Sequence, residues 1–331
     1  MTETIRWGIL STANIGAKRV IPAIQRSNNG VVAAVASRNL EKAQTFAATH
    51  QIPAAYGSYE DLLADENIDA IYIPLPNNLH AEWAIQCAEA GKPTLCEKPL
   101  AINADQAQGM VDTFKERGVL FAEAFMYRFH PQNQRVRQMI EQGAIGDVLM
   151  MSATFSFAIR EGNEDNIRLQ KDLAGGALMD VGCYCINSMR FIIGENPVRG
   201  VAYADFGAVH DVDERITALL EFPGGAMGHL DASLRAQHAH TYEVRGTKGR
   251  IQLPQSYVPE YSTGKPVTIH YWQGSSYESI EIPATDQYQL MVEDFADALL
   301  QGRPPRFDPQ DAVENMRVID MLLQSARENA G

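Results

Sequence analysis

The chain has 331 residues, is 45% hydrophobic and 21% charged, and carries a net charge of −13. That length predicts two domains with sizeable cores. The acidic balance argues against nucleic acid or an anionic membrane as partner, since both need basic patches. Four cysteines make no disulfide framework in a chain this long. The start, Met1 to Arg6, lacks a basic region followed by an apolar core, and no apolar run reaches about 18 residues. Cytoplasm is the expected location.

Residues 5–10 read as a short apolar strand and 17–26 as a helix. A second strand at 31–36 is apolar throughout, as a strand buried on both faces should be. Helix 40–49, strand 54–56, helix 58–64, strand 70–75, helix 79–90, strand 93–96, helix 103–117 and strand 119–122 follow. Strict alternation predicts a parallel, doubly wound sheet. After Ala124 the alternation stops. A helix from Tyr127 to near Gly143 precedes strand-like runs at 148–158, 198–206, 215–222, 226–234, 241–246, 249–253, 267–272 and 277–282. Turns such as Pro223-Gly224-Gly225 predict hairpins and an open, mostly antiparallel sheet. Helices 176–193, 286–301 and 309–329 are expected on one face. The bare opposite face predicts a homodimer or a dimer of dimers. The expected domains are 1–123 and 124–331.

The loop after the first strand aligns to the dinucleotide fingerprint G-x-G-x-x-G as Ser11-x-Ala13-x-x-Gly16. Small residues there allow a tight turn and close approach of a pyrophosphate, and the helix start supplies N–H groups. Ser11, Thr12, Ala13, Asn14 and Ile15 are therefore candidate cofactor residues. An NAD site usually has an acid at the end of the second strand. Ser37 and Arg38 stand there instead, and a guanidinium suits a 2′-phosphate. NADP is the expected cofactor, with NAD possible. Leu75, Pro76, Asn77 and His80 follow another strand at the cofactor edge. Asn77 and His80 could meet ribose or nicotinamide, and capping of a helix by Asn78 is an equal reading.

Glu97-Lys98-Pro99 closes a predicted parallel strand, where ligands of such sheets bind. The proline fixes the backbone behind Lys98. In the second half, Asp180 and Tyr184 are four apart, so a helix would put both on one face. Arg168 precedes them and could reach a polyol or a phosphate, or simply be solvated. Cys183 and Cys185 read as packing, and His238 with His240 lacks a third ligand at metal spacing, so no metal is expected.

The degenerate loop 7–16, the Glu97-Lys98-Pro99 triplet, the run from Glu123 to Pro131 and the Asp180–Tyr184 segment together resemble the glucose-fructose oxidoreductase/inositol dehydrogenase (Gfo/Idh/MocA) family. The likeness runs nearly end to end. Many members carry a histidine where this chain has Tyr184. That tyrosine is similar to the branch with dimeric dihydrodiol dehydrogenases and NADP-dependent D-xylose 1-dehydrogenases. The resemblance implies a Rossmann domain and a catalytic pair of Lys98 and Tyr184. Asp180 becomes an orienting or substrate residue, and the substrate a sugar, polyol or diol. A free phenol, with a pKa of about 10, is a poor base at neutral pH. A lysine cation and an oxidised nicotinamide would both favour phenolate. A trans-dihydrodiol dehydrogenase and a non-catalytic NADP-binding sensor are the alternatives.

Overall fold

The computed structural model describes residues 4–160, 162–259 and 264–330. Met1, Thr2 and Glu3, on which the reading of the chain start partly rests, lie outside the described residues. The chain divides into two compact units, Met1–Met126 with Asp286–Val313, and Tyr127–Thr285 with Glu314–Gly331.

In the first unit the chain forms β1 (Ile5–Leu10), a π turn (Gly16–Val20) running into α1 (Ile21–Arg26), and β2 (Gly30–Ala36). Then come α2 (Leu40–His50), β3 (Ala54–Tyr56), α3 (Tyr59–Leu63) and β4 (Ala70–Ile73). It continues through α4 (His80–Glu89), β5 (Thr94–Cys96), α5 (Ala104–Arg117) and β6 (Phe121–Glu123). Local chemistry sets these bounds. Asn39, Ser58 and Asn103 cap α2, α3 and α5, each side chain accepting a backbone N–H of the first turn. Gly118 ends α5 in the left-handed conformation. The six strands lie in the order β3-β2-β1-β4-β5-β6, every pair parallel. That order reverses between β1 and β4, the kind of switch point at whose carboxyl ends such sheets bind ligands, and Ser11 and Pro74 follow these two strands.

The second unit holds α6 (Pro131–Glu141), β7 (Val148–Ser156), and a π turn (Leu178–Gly182) running into α7 (Cys183–Ile193). Seven strands follow: β8 (Arg199–Phe206), β9 (Asp213–Glu221), β10 (Met227–Ser233), β11 (Ala239–Gly246), β12 (Gly249–Leu253), β13 (Val267–Gln273) and β14 (Ser276–Ile282). They form one sheet ordered β14-β13-β12-β11-β7-β10-β9-β8. β7 and β10 pair in parallel, and the other neighbours are antiparallel. Along β9, buried Ile216, Ala218 and Leu220 alternate with outward Arg215, Thr217 and Leu219. This period of two marks a sheet with one covered face. The buried α7 packs on β7 and β10.

The last helices are α8 (Gln287–Gln301) and α9 (Gln310–Glu328). Segment 286–301, expected over the second sheet, belongs instead to the first unit. Phe295 packs on Trp7 with ring centroids 5.3 Å apart, Asp297 accepts from Asn29 at 2.7 Å, and Asp286 pairs with Arg26. Among the described residues no helix is long and apolar enough to cross a membrane.

Candidate active site

Ser11 follows β1 with φ at 113°, a region that favours glycine. Its N–H donates to Ala36 O at 3.0 Å, and its Oγ accepts the Ala13 N–H at 3.3 Å. The turn thus takes a glycine-like path without a glycine. Thr12, Ala13 and Ile15 are half-buried and Asn14 is exposed. At Gly16, an added Cβ would meet Pro74 and Tyr72 no closer than 3.8 Å. Steric need for glycine lies inside the strand instead, at Gly8, where a Cβ would sit 2.7 Å from Leu62.

Ser37 follows β2 and is buried, its N–H on Tyr56 O at 3.1 Å and its Oγ accepting from Asn39 N–H at 3.4 Å. Arg38 beside it is exposed. A hollow of about 510 Å³ is lined by Thr12, Asn39, Glu41, Lys42, Thr45 and Phe46, among others. Asn39 and Lys42 are absent from the sequence reading. Their signal was the helix start just after Ser37-Arg38. A glycine-like turn at the switch point, and a cation with no acid at the end of β2, fit a phosphorylated dinucleotide.

Leu75 is buried, Pro76 is half-buried, and Asn77 opens a short 3₁₀ turn. His80 was expected near ribose or nicotinamide. It is fully buried, with Nε2 2.9 Å from Leu75 O and Nδ1 3.0 Å from Pro99 O. A neutral ring has one N–H and so donates to one of these two carbonyls, which lie in the loop after β4 and the turn after β5. Burial lowers its pKa. In that second turn, the buried Glu97 accepts from Tyr72 Oη at 2.6 Å and from Lys98 N–H at 3.3 Å. Burial, then the Glu97 charge, push the Tyr72 phenol well above its ordinary range. Lys98 is half-buried and its peptide bond to Pro99 is cis.

In the second unit, Asp180 lies in the π turn and Tyr184 in the first turn of α7. π turns inside helices recur at functional sites. Arg168 Nε donates to Asp180 Oδ2 at 2.6 Å, and the Asp180 charge raises the Arg168 pKa. The guanidinium also lies over the Phe157 ring, 5.6 Å from its centre. Arg168 is thus paired, not free in solvent. Tyr184 is 5% exposed, and its ring lies 5.3–5.9 Å from those of Phe155, Tyr257 and Tyr127. Two of these neighbours are fixed by their hydroxyls: Tyr127 donates to Asn187 at 2.6 Å, and Tyr257 bonds Ser188 at 2.9 Å. His240, lowered by burial to about 4, accepts from Tyr257 N–H through Nδ1 at 3.3 Å. The arrangement offers a phenol in an apolar surround with a carboxylate–guanidinium pair one turn before it.

Residues 5–125 match the model of an oxidoreductase family with an NAD-binding Rossmann fold, and residues 133–252 match the GFO/IDH/MocA C-terminal domain. A D-xylose 1-dehydrogenase (NADP+) of Haloferax volcanii is 40% identical over 326 residues, 98% of each chain. A trans-1,2-dihydrobenzene-1,2-diol dehydrogenase of Xenopus tropicalis is 36% identical over 83% of this chain and 87% of its own. Among solved structures, a 3-ketoreductase from Actinomadura kijaniata in complex with NADP and TDP-benzene superposes with a TM-score of 0.91, at 31% identity and 98% coverage of both chains. That ketoreductase has also been solved as a tyrosine-to-phenylalanine and as a lysine-to-alanine variant. The chain belongs to the GFO/IDH/MocA oxidoreductase family.

Proposed function

We propose that this protein is an NADP-dependent oxidoreductase that moves a hydride between nicotinamide and a sugar, polyol or cyclic diol. Oxidation of an aldose at C1 to its lactone, or reduction of a carbonyl sugar, is the reaction favoured. The observation that carries this reading is Tyr184, a buried phenol ringed by aromatic side chains with the Arg168–Asp180 pair one turn before it. The xylose dehydrogenase and the ketoreductase support it, since the first is named for NADP and the second is solved with it.

Ser11, Thr12, Ala13, Asn14 and Ile15, with Leu75, Pro76 and Asn77, would hold the dinucleotide, and Ser37 with Arg38 its 2′-phosphate. NADP held there would supply the hydride exchange at nicotinamide C4. In oxidation Tyr184 Oη takes the hydroxyl proton, and in reduction it returns one. The Lys98 ammonium polarises the substrate oxygen and favours phenolate at Tyr184. Glu97 holds the Lys98 turn through the Lys98 N–H. Arg168 holds the Asp180 carboxylate, which accepts a substrate hydroxyl. Absorbance at 340 nm with a panel of aldoses, ketoses and diols tests the reading. We expect turnover of an aldose such as D-xylose, with kcat/KM for NADP above that for NAD by about tenfold or more. Tight NADP binding without turnover across the panel would instead leave a cofactor-binding regulator.

The aromatic rings around Tyr184 also suit a flat cyclic diol, and the Xenopus relative is named for one. Faster turnover of a trans-dihydrodiol than of any aldose would select that second reading. We further propose a homodimer, or a dimer of dimers, closed through the outer face of the second sheet. Val201, Tyr203, Leu219 and Met227 are exposed on that face. A monomeric mass by light scattering would rule this out, and Leu219→Glu should shift a dimer toward it.

A further inference from the structure

Asp213 begins β9 and is buried. Its Oδ2 accepts the N–H of Leu178 at 2.7 Å. Leu178 opens the π turn that runs into α7, and N–H groups at a helix start have no carbonyl within the helix to receive them. A carboxylate also suits the positive end of the helix dipole. The space for it is reserved. Gly176 has φ at 119°, and a Cβ there would lie 2.1 Å from Asp213 Oδ1. Gly175 is confined from the other side, where a Cβ would lie 2.4 Å from Arg168 O. The Gly176 N–H donates to that same carbonyl at 2.8 Å. One short segment therefore fixes the backbone of Arg168 and the head of the helix that carries Asp180 and Tyr184. Arg327 of α9, the cation whose charge acts on Asp213, is itself bonded to Asp211. Asp213 is thus held by backbone N–H groups, and burial pushes its carboxyl up to about 7.

We propose that Asp213 is a positioning residue: it anchors the head of the helix that presents Asp180 and Tyr184, and Gly176 is required because any side chain there would displace it. The proposal rests on Asp180 and Tyr184 being the reactive groups, as set out above. Asp213 acts through the helix rather than on substrate.

The test combines kinetics on D-xylose and NADP with amide exchange over residues 176–186, for Asp213→Ala, Asp213→Asn and Gly176→Ala. Asp213→Ala should exchange faster across that segment and lose about ten- to a hundredfold in kcat, as expected of a small misplacement. Its NADPH Kd, read by fluorescence, should stay within about twofold. Asp213→Asn keeps an oxygen acceptor in the same place and should restore slow exchange and most of the rate. Gly176→Ala should behave as Asp213→Ala does. Unchanged exchange in folded Asp213→Ala overturns the proposal, and so does a rate that Asp213→Asn fails to restore. If Asp213→Ala does not fold, unchanged exchange and rate in Gly176→Ala overturn it equally. Tyr184→Phe run in parallel separates the two failures. Full activity in Tyr184→Phe removes the reading of the site, whereas an inactive Tyr184→Phe beside a wild-type Asp213→Ala removes only the positioning role.

Discussion

The two candidate regions are held by different kinds of bond. In the first unit, side chains are spent largely on main chain, although Glu97 also takes the Tyr72 hydroxyl. Ser37 Oγ receives the Asn39 N–H, both His80 nitrogens face carbonyls, and Glu97 receives the Lys98 N–H. In the second unit, the groups around Asp180 and Tyr184 are held mainly by other side chains, while Asp213 and His240 take backbone N–H groups. Arg168 grips Asp180, Tyr127 bonds Asn187, Tyr257 bonds Ser188, and three aromatic rings surround Tyr184. Loops pinned through their backbone present a fixed turn and its N–H groups, which suits a cofactor common to many chemistries. A network of side chains changes with each substitution, which suits the choice of substrate. Function is grafted on a fold at such sites.

The largest effect should fall in the second region. Tyr184→Phe removes only a hydroxyl, yet it should lower kcat by about 10²–10⁴, the usual worth of a general acid–base group. NADPH Kd should not move, because the cofactor region is held separately. Arg168→Met leaves the phenol in place and frees Asp180, so a smaller loss in kcat/KM for sugar is expected, about tenfold. If either variant weakened NADPH binding as much as turnover, the division between the regions would fail.

Asp213 gives the comparison a pH axis. Its folded pKa of about 7 stands above the ordinary value of about 3.9. The folded state keeps the proton across that window while the unfolded chain releases it. Its contribution to stability is therefore greatest at the acid end, falls as pH rises from about 4 to about 7, and levels off above. Each unit is worth at most about 1.4 kcal/mol. Asp213→Asn removes this slope. The difference in Tm between wild type and Asp213→Asn should vary between about pH 5 and 7 and stay flat beyond about pH 8. A constant difference would show that this carboxyl is no harder to ionise in the fold than in the unfolded chain.

Gly8 and Gly16 set a steric contrast within the first unit. Alanine at Gly8 would crowd Leu62, Ile68 and Ile71 at 2.7–3.0 Å in the core. Overpacking of that kind costs about 1–3 kcal/mol. Gly16→Ala meets neighbours at 3.8 Å and should cost less than about 1 kcal/mol, by propensity even gaining in a helix. Thermal unfolding of both variants checks this, and equal losses would return the steric need to the fingerprint glycine.

Most of the first unit was legible because each strand is a short apolar run and each helix carries its own cap, as Asn39, Ser58 and Asn103 do. Both signals are local. The second sheet was legible strand by strand through its period of two. The helix at 287–301 was read with its chain neighbours, whereas Phe295 packs on Trp7. An amphipathic stripe shows that a helix is covered and not by what. The burial of His80 was missed for a related reason. Its place at the cofactor edge was readable, but the direction of a side chain at a helix start was not. Asp213 carried no local signal at all. Only the Gly175-Gly176 pair hinted that something approached closely there, and the approaching group came from a strand 35 residues away.

Ser11→Gly probes the smallest difference and the one nearest the main question. At φ of 113° a residue other than glycine stores roughly 1–3 kcal/mol of strain, which glycine would relieve. Against that stand the loss of two long Oγ contacts, at 3.3 Å to Ala13 and 3.5 Å to Pro74, and the greater freedom of glycine in the unfolded chain, about 0.5–1 kcal/mol. The opposing effects nearly balance, so Tm should rise by only about a few degrees. NADPH Kd should stay within about threefold, since the N–H groups of the turn are aimed by the backbone and not by the hydroxyl. Ser11→Val, β-branched in a region closed to it, should lose stability and NADPH affinity together. A tenfold or larger loss of NADPH affinity in Ser11→Gly, on the order of 1.4 kcal/mol, would make the hydroxyl itself the contact. The first region would then hold its ligand by a side chain, as the second is proposed to do.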